Sequence, residues 1–185
     1  MQTNNADIRS RVQDIAQLSQ STFPNRCVAV YVMGSLARGG FSEVASDIDI
    51  GLILEGPLNP QDEAEVDTVL TKTLKQNATV TNKVSIFWGS IDSINGVVNA
   101  GRYPPFDRLD LIDHAVLLAG REIRSQLKRP LRRELVISSA EFALEKLGSD
   151  QVLEEFHNCQ LLASQGTVTV TKRVLFPARF IFLEN

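Results

Sequence analysis

The feature that most limits what this chain can become lies between Val28 and Leu54. A short apolar run, Val28-Ala29-Val30-Tyr31-Val32-Met33, is rich in β-branched residues and reads as a buried strand. Gly34-Ser35 ends it. Gly34 has no Cβ, so a phosphate can approach the backbone there. The N–H groups that follow point at such a phosphate if Ser35 to Arg38 opens a helix. A second strand then carries aspartates at alternate positions. Asp47 and Asp49 project to one face, Ile48 and Ile50 to the other. Two carboxylates ~5 Å apart repel by roughly 3 kcal/mol at an effective dielectric of ~20. They need a cation between them or ample water. Oxygen ligands at this spacing suit Mg²⁺, which borrows further oxygens from water and phosphates. Together the two halves form a cradle for a nucleoside triphosphate. The plainer alternative is a pair of strands with solvent-facing aspartates.

Gly34-Ser35, eleven intervening residues, then Asp47-Ile48-Asp49 resembles the signature of the DNA polymerase β-like nucleotidyltransferase superfamily. The wording Gly-Ser-Leu-Ala-Arg-Gly and Ser-Asp-Ile-Asp-Ile is similar to that of its small bacterial branch. That branch includes aminoglycoside nucleotidyltransferases and minimal nucleotidyltransferases paired with helical toxins. The resemblance implies an α/β (α+β) fold, with a mixed sheet flanked by helices and a helical region after it. It implies Asp47 and Asp49 as catalytic and metal-holding residues. Gly34, Ser35, Arg38 and Ser46 become the nucleotide-binding candidates, and Mg²⁺ and ATP the cofactor and substrate. The implied reaction moves AMP onto a hydroxyl of a small-molecule acceptor such as an aminoglycoside-like antibiotic.

One position departs from the pattern. The superfamily usually takes a third carboxylate from the strand beside the aspartate pair, and the β-rich run Thr79 to Trp88 has Ser85 there. The alternative function is therefore a nucleotide-binding or antitoxin-like partner protein with little or no transfer activity. Asp92, Asp107 and Asp110 are candidates for a displaced acid, although each also reads as a helix-start or solvated-face residue. Glu141 and Glu145 of the helical region are others, and nothing in the sequence selects among them.

The 185 residues carry a formal net charge of −3. This gives no general basic footprint, so extended nucleic-acid binding is disfavoured. Cys27 and Cys159 are too few for a disulfide framework or zinc site and read as buried free thiols. No signal peptide or membrane-length apolar run is visible, which fits a cytoplasmic protein without membrane contact.

Around the motif, the 3.6-residue period predicts helices from about Asn5 to Ser21 and from about Pro60 to Asn77. In the second, the acidic residues Asp62, Glu63 and Glu65 read as a solvated face. A helix from Asp107 to His114 and a last strand, Ala115 to Leu118, follow. Arg121 and Arg124 are candidates to neutralise phosphate. Beyond about Arg129 strands stop and three helical segments remain: Leu131 to Leu147, a second from Ser149 or Asp150, and Val168 to Phe182. Pro177 is expected to kink or break the third. The expected division is a nucleotidyltransferase domain over 1–125 and a helical region over 126–185, the latter open to truncation at its end. The apolar run Phe180-Ile181-Phe182-Leu183 leaves open a homodimer or a helical protein partner.

Overall fold

The computed structural model describes residues 3–76 and 83–184. The chain divides into two compact units, Met1–Arg129 and Pro130–Asn185.

The apolar run before the glycine forms β1, Cys27–Val32, and all of it beyond Cys27 is buried. Two antiparallel partners flank it, β2 (Ile48–Leu54) and β4 (Val116–Gly120). On its other edge β2 pairs in parallel with β3 (Val84–Ser90), giving the order β3-β2-β1-β4. A parallel pair needs a crossover. The helix α3, Pro60–Gln76, supplies it here. The result is the expected mixed sheet flanked by helices.

Alternation along the strands makes two cores. Val30, Val32, Ile48, Ile50, Leu52, Val84 and Ile86 face one way, beneath α1 (Ala6–Thr22) and α3. Ile8, Val12 and Ile15 give α1 its apolar stripe, and Asn5 caps it by accepting from the Asp7 and Ile8 N–H groups at 2.9 and 3.2 Å. Each such aliphatic side chain contributes roughly 1.5–3 kcal/mol by leaving water. Ala29, Tyr31, Met33, Ile53 and Phe87 face the other way. They pack with Ile94 of α4 (Ile91–Ile94), Leu111 of α5 (Pro105–Asp113) and Ile123. The short α2, Gly34–Arg38, joins β1 to the segment leading into β2. A 3-10 turn at Arg124–Gln126 follows β4.

Some elements differ from expectation. The start of the expected third strand, Thr79 onward, lies partly outside the described residues, and β3 itself runs two residues past Trp88. Asp107 is in the first turn of α5 and not its cap, because Pro104 takes that place and Pro105 is the first helical residue. Arg121 and Arg124 are held by carboxylates, Glu55 at 2.9 Å and Glu122 at 2.7 Å. Cys27 is partly buried, and burial pushes its thiol up to about 11; Cys159 is exposed, contrary to expectation.

The second unit is helical: α6 (Arg132–Leu147), α7 (Asp150–His157), α8 (Cys159–Ser164) and α9 (Thr167–Glu184). The one helix expected after Ser149 is two. Asn158 interrupts it and caps α8, its Oδ1 accepting from the Leu161 N–H at 3.1 Å. In contrast, α9 continues through Pro177. Within this unit the Arg173 guanidinium donates to the buried Glu155 at 3.3 Å and to the Lys146 carbonyl at 2.7 Å.

Glu63 and Glu65 are exposed, as the solvated-face reading has them, but Asp62 is not. Its side chain is 0% exposed, and Arg26 grips both oxygens, at 2.5 and 2.9 Å. The Asn59 N–H and side-chain amide add bonds of 2.8 and 3.0 Å. Burial pushes the carboxyl up, but the hydrogen bonds from Arg26 and Asn59 and the Arg26 charge outweigh it and hold the group below its usual value. Since the folded value lies below the unfolded one, this contribution is whole above the ordinary carboxylate range. It is lost as pH falls through the folded value. Asp62→Ala is expected to cost about 2–3 kcal/mol, because it leaves Arg26 partly buried without its anion. Urea unfolding at neutral pH measures this, and the difference from wild type should shrink in acid.

Candidate active site

The end of β1 folds onto the start of β2. The Met33 N–H donates to the Asp49 carbonyl at 2.8 Å, carrying the β1–β2 ladder up to the bend. Gly34 then turns with φ +64°, a left-handed conformation that costs other residues roughly 1–2 kcal/mol. A Cβ there would also meet Asp49 Oδ2, so the carboxylate would have to swing away from the bend. The Asp49 carboxylate therefore rests against the bare backbone of the bend. The Ser35 carbonyl accepts from the Gly39 and Gly40 N–H groups, both at 3.0 Å, and closes α2. Ser46 Oγ accepts from the Ser42 N–H at 2.9 Å and ties off the loop before Asp47.

On the parallel side, Asp49 stands in register with Ser85 of β3. The strand neighbour that the superfamily pattern would fill with an acid is thus a hydroxyl.

A carboxylate reaches the bend from another element. Asp110 of α5 accepts from the Gly34 N–H at 2.6 Å through Oδ2, and from Arg38 at 2.7 Å through Oδ1. Several contacts set α5 in place. Arg102 and Trp88 exchange backbone hydrogen bonds of 2.8 and 3.0 Å, and the Arg102 guanidinium lies 5.0 Å from the Phe87 ring centre. Arg108 donates to the Ile94 carbonyl at 2.7 Å, and Leu111 is fully buried.

Beneath the bend, the Tyr103 hydroxyl meets Met33 Sδ at 3.1 Å, in space that a Cβ on Gly51 would invade. Burial pushes Tyr103 well above the ordinary tyrosine value, and the Asp107 and Asp110 charges push the same way. The Tyr31 hydroxyl donates to Glu122 and accepts from the Ile123 N–H, both at 3.0 Å. Burial chiefly raises it, to about 12.

Residues 14–86 match the family model of the nucleotidyltransferase domain. They carry a nucleotidyltransferase domain. The fold is also that of a spectinomycin adenyltransferase from Enterococcus faecialis, solved with ATP and spectinomycin. That comparison gives 12% identity and a TM-score of 0.59, over 85% of this chain and 75% of that one. A toxin-antitoxin solved with AMP-PNP is similar at 13% identity and a TM-score of 0.42, over 80% of this chain and 98% of that one. No curated protein sequence matches.

The nucleotidyltransferase domain model spans Gly34, Ser35, Arg38, Ser46, Asp47, Asp49 and Ser85, and stops before Asp110. The structure brings Gly34, Arg38 and Asp49 together, with Asp110 added. Ser46 is engaged in its own turn, and Asp47 lies just ahead of β2. Asp92 sits in the first turn of α4, whereas Glu141 and Glu145 belong to α6 of the second unit. Sequence spacing named Asp110 without selecting it. Its contact to Gly34 spans 76 positions, and no local pattern encodes that.

The donor set fits Mg²⁺. Asp49 offers hard carboxylate oxygens beside a bend left open by glycine, and Asp47, just ahead of β2, is a second carboxylate two residues before it. Among the described residues no group of three or more His, Cys, Asp or Glu is placed to hold a metal. An ion that takes one or two carboxylates and completes its shell with waters and phosphate oxygens matches such a site, whereas an all-protein cage does not.

Two outcomes are expected. Gly34→Ala should destabilise the domain by at least about 1 kcal/mol, measured by urea unfolding, because the backbone strain adds to the displacement of Asp49. The chain's two tyrosines, Tyr31 and Tyr103, are both raised. An ultraviolet titration should therefore show little phenolate at pH 10 in the folded protein and about half ionisation in the denatured chain.

Proposed function

We propose that the first unit transfers a nucleoside monophosphate, AMP from ATP, to a hydroxyl of a small-molecule acceptor. The observation that carries this reading is the Asp49 carboxylate lying against Gly34 within a matched nucleotidyltransferase segment. In extended chain, the alternation that turns Asp49 away from Ile48 places Asp47 on the same side as Asp49. These two carboxylates would hold Mg²⁺, which when bound neutralises charge on the phosphoryl group and orients the reacting oxygens. The Gly34 and Ser35 backbone receives phosphate oxygens, and Arg38 adds a positive charge beside them. Ser46 fixes the approach of Asp47 through its turn. The acceptor hydroxyl attacks the α-phosphorus in line, its proton passes to solvent or a base, and pyrophosphate leaves. The spectinomycin adenyltransferase, whose fold this chain shares, motivates an antibiotic-like acceptor.

A second reading rests on Ser85. With a hydroxyl in register with Asp49, the strand lacks an acid to take the acceptor's proton. The unit would then bind nucleotide and act as a partner protein, slow or silent in transfer.

Incubation with α-labelled ATP, Mg²⁺ and a panel of aminocyclitol and aminoglycoside acceptors separates the two. Transfer to any acceptor, lost by more than about a hundredfold in Asp49→Ala or Asp47→Ala with the melting temperature kept, supports the enzyme. Tight ATP binding with no transfer supports the partner protein. Absence of nucleotide binding rules out both.

A further inference from the structure

Asp110 occupies the two donors that the proposed function assigns to phosphate. Its Oδ2 takes the Gly34 N–H at 2.6 Å and its Oδ1 takes Arg38 at 2.7 Å. A backbone N–H and a guanidinium are an anion's partners, and a carboxylate satisfies them as a phosphate oxygen would. The Asp110 side chain is 13% exposed, and Arg38 is 51% exposed. The carboxylate thus lies inside the site, while the guanidinium remains reachable from solvent.

The contact is built into the fold. Asp110 stands on a helix anchored on either side of it, by Arg108 to the Ile94 carbonyl and by Leu111 in the core. Pro104 and Pro105 fix where that helix starts. The chain cannot carry the carboxylate away without moving α5 or turning the Asp110 side chain. A triphosphate brought to the same donors would lie beside that carboxylate, and two anions a few ångströms apart on one N–H repel each other.

We propose that Asp110 is an internal anion that holds the nucleotide's phosphate donors in the empty site, and that nucleoside triphosphate binds by exchanging with it. The inference rests on the reading of Gly34 and Arg38 as phosphate ligands. It makes Asp110 a determinant of affinity. Nucleotide binding gains the bonds to Gly34 and Arg38 and loses those that Asp110 already made, so the net gain is small. The exchange also sets a threshold. A polyanionic tail together with Mg²⁺ can displace the carboxylate, whereas a weak monoanion leaves it in place. Among the described residues Asp47, Asp49 and Asp110 are not grouped as a three-acid metal cluster, and the proposal gives Asp110 no metal to hold.

The experiment is calorimetric titration of the full chain with AMP-PNP and Mg²⁺, for wild type, Asp110→Asn, Asp110→Ala and Arg38→Ala. Melting temperatures verify that each variant is folded. Both Asp110 variants should bind roughly tenfold more tightly than wild type, the worth of one charge-assisted hydrogen bond no longer surrendered. Arg38→Ala should bind more weakly. A structural role for Asp110 predicts the opposite sign, because an unsupported bend binds less well. If wild type binds AMP-PNP and both folded Asp110 variants bind equally or more weakly, the exchange is overturned and the nucleotide reading stands. If no variant and no wild type binds, the nucleotide reading falls and the exchange with it. The Asn variant keeps the side-chain volume, so it serves should Ala disturb the fold.

Discussion

The backbone hydrogen bond from Met33 to the Asp49 carbonyl is the contact on which the rest of the site depends. It sets the register of β1 against β2, and that register decides which side of the sheet each β2 residue faces. A slip of one residue would send Asp49 into the core and Ile48 to the bend. Burying an unpaired carboxylate costs several kcal/mol, and exposing Ile48 forfeits roughly 1.5–3 kcal/mol more. The apolar alternation of Ile48, Ile50 and Leu52 therefore does two things. It builds the core beneath α1 and α3, and it delivers Asp49 to Gly34 on the opposite face.

That part of the molecule was legible because it is local. A glycine ending an apolar strand, and aspartates at alternate positions on the next, depend only on neighbouring residues and a period of two. The sheet and most helices followed from periodicity in the same way. What stayed hidden depends on contacts between distant segments. Asp110 resembles any solvated helix aspartate until α5 is seated on the sheet. Asp62 sits among Glu63 and Glu65 and shares their composition, yet Arg26, far away in sequence, draws it inside. Asn158 falls between Phe156 and Cys159, inside a segment whose continuous helical period concealed its capping side chain. The Ser85 departure was visible in the sequence, but its consequence depended on the parallel register that sets it beside Asp49.

Arginine–carboxylate pairs recur around the first unit, and their worth differs with solvent access. Arg26–Asp62 closes over a fully buried carboxylate and supports the fold. Arg121–Glu55 joins two side chains that are each more than half exposed, a setting in which such pairs contribute about 0–1 kcal/mol. Arg38–Asp110 lies between these extremes. An anion can reach the guanidinium there, whereas the carboxylate is mostly covered. A pair of intermediate exposure is stable enough to order an empty site and weak enough to be opened by a ligand.

The chain's one tryptophan, Trp88, sits on β3 at 8% exposure. It is joined to Arg102 by hydrogen bonds in both directions, where the segment leading to α5 meets the sheet. Those bonds are made by its backbone; its indole belongs to the core beneath α1 and α3, on the face away from α5. The ring is therefore a native fluorophore for that core, and its emission follows the packing of α1 and α3 on the sheet in the unlabelled protein.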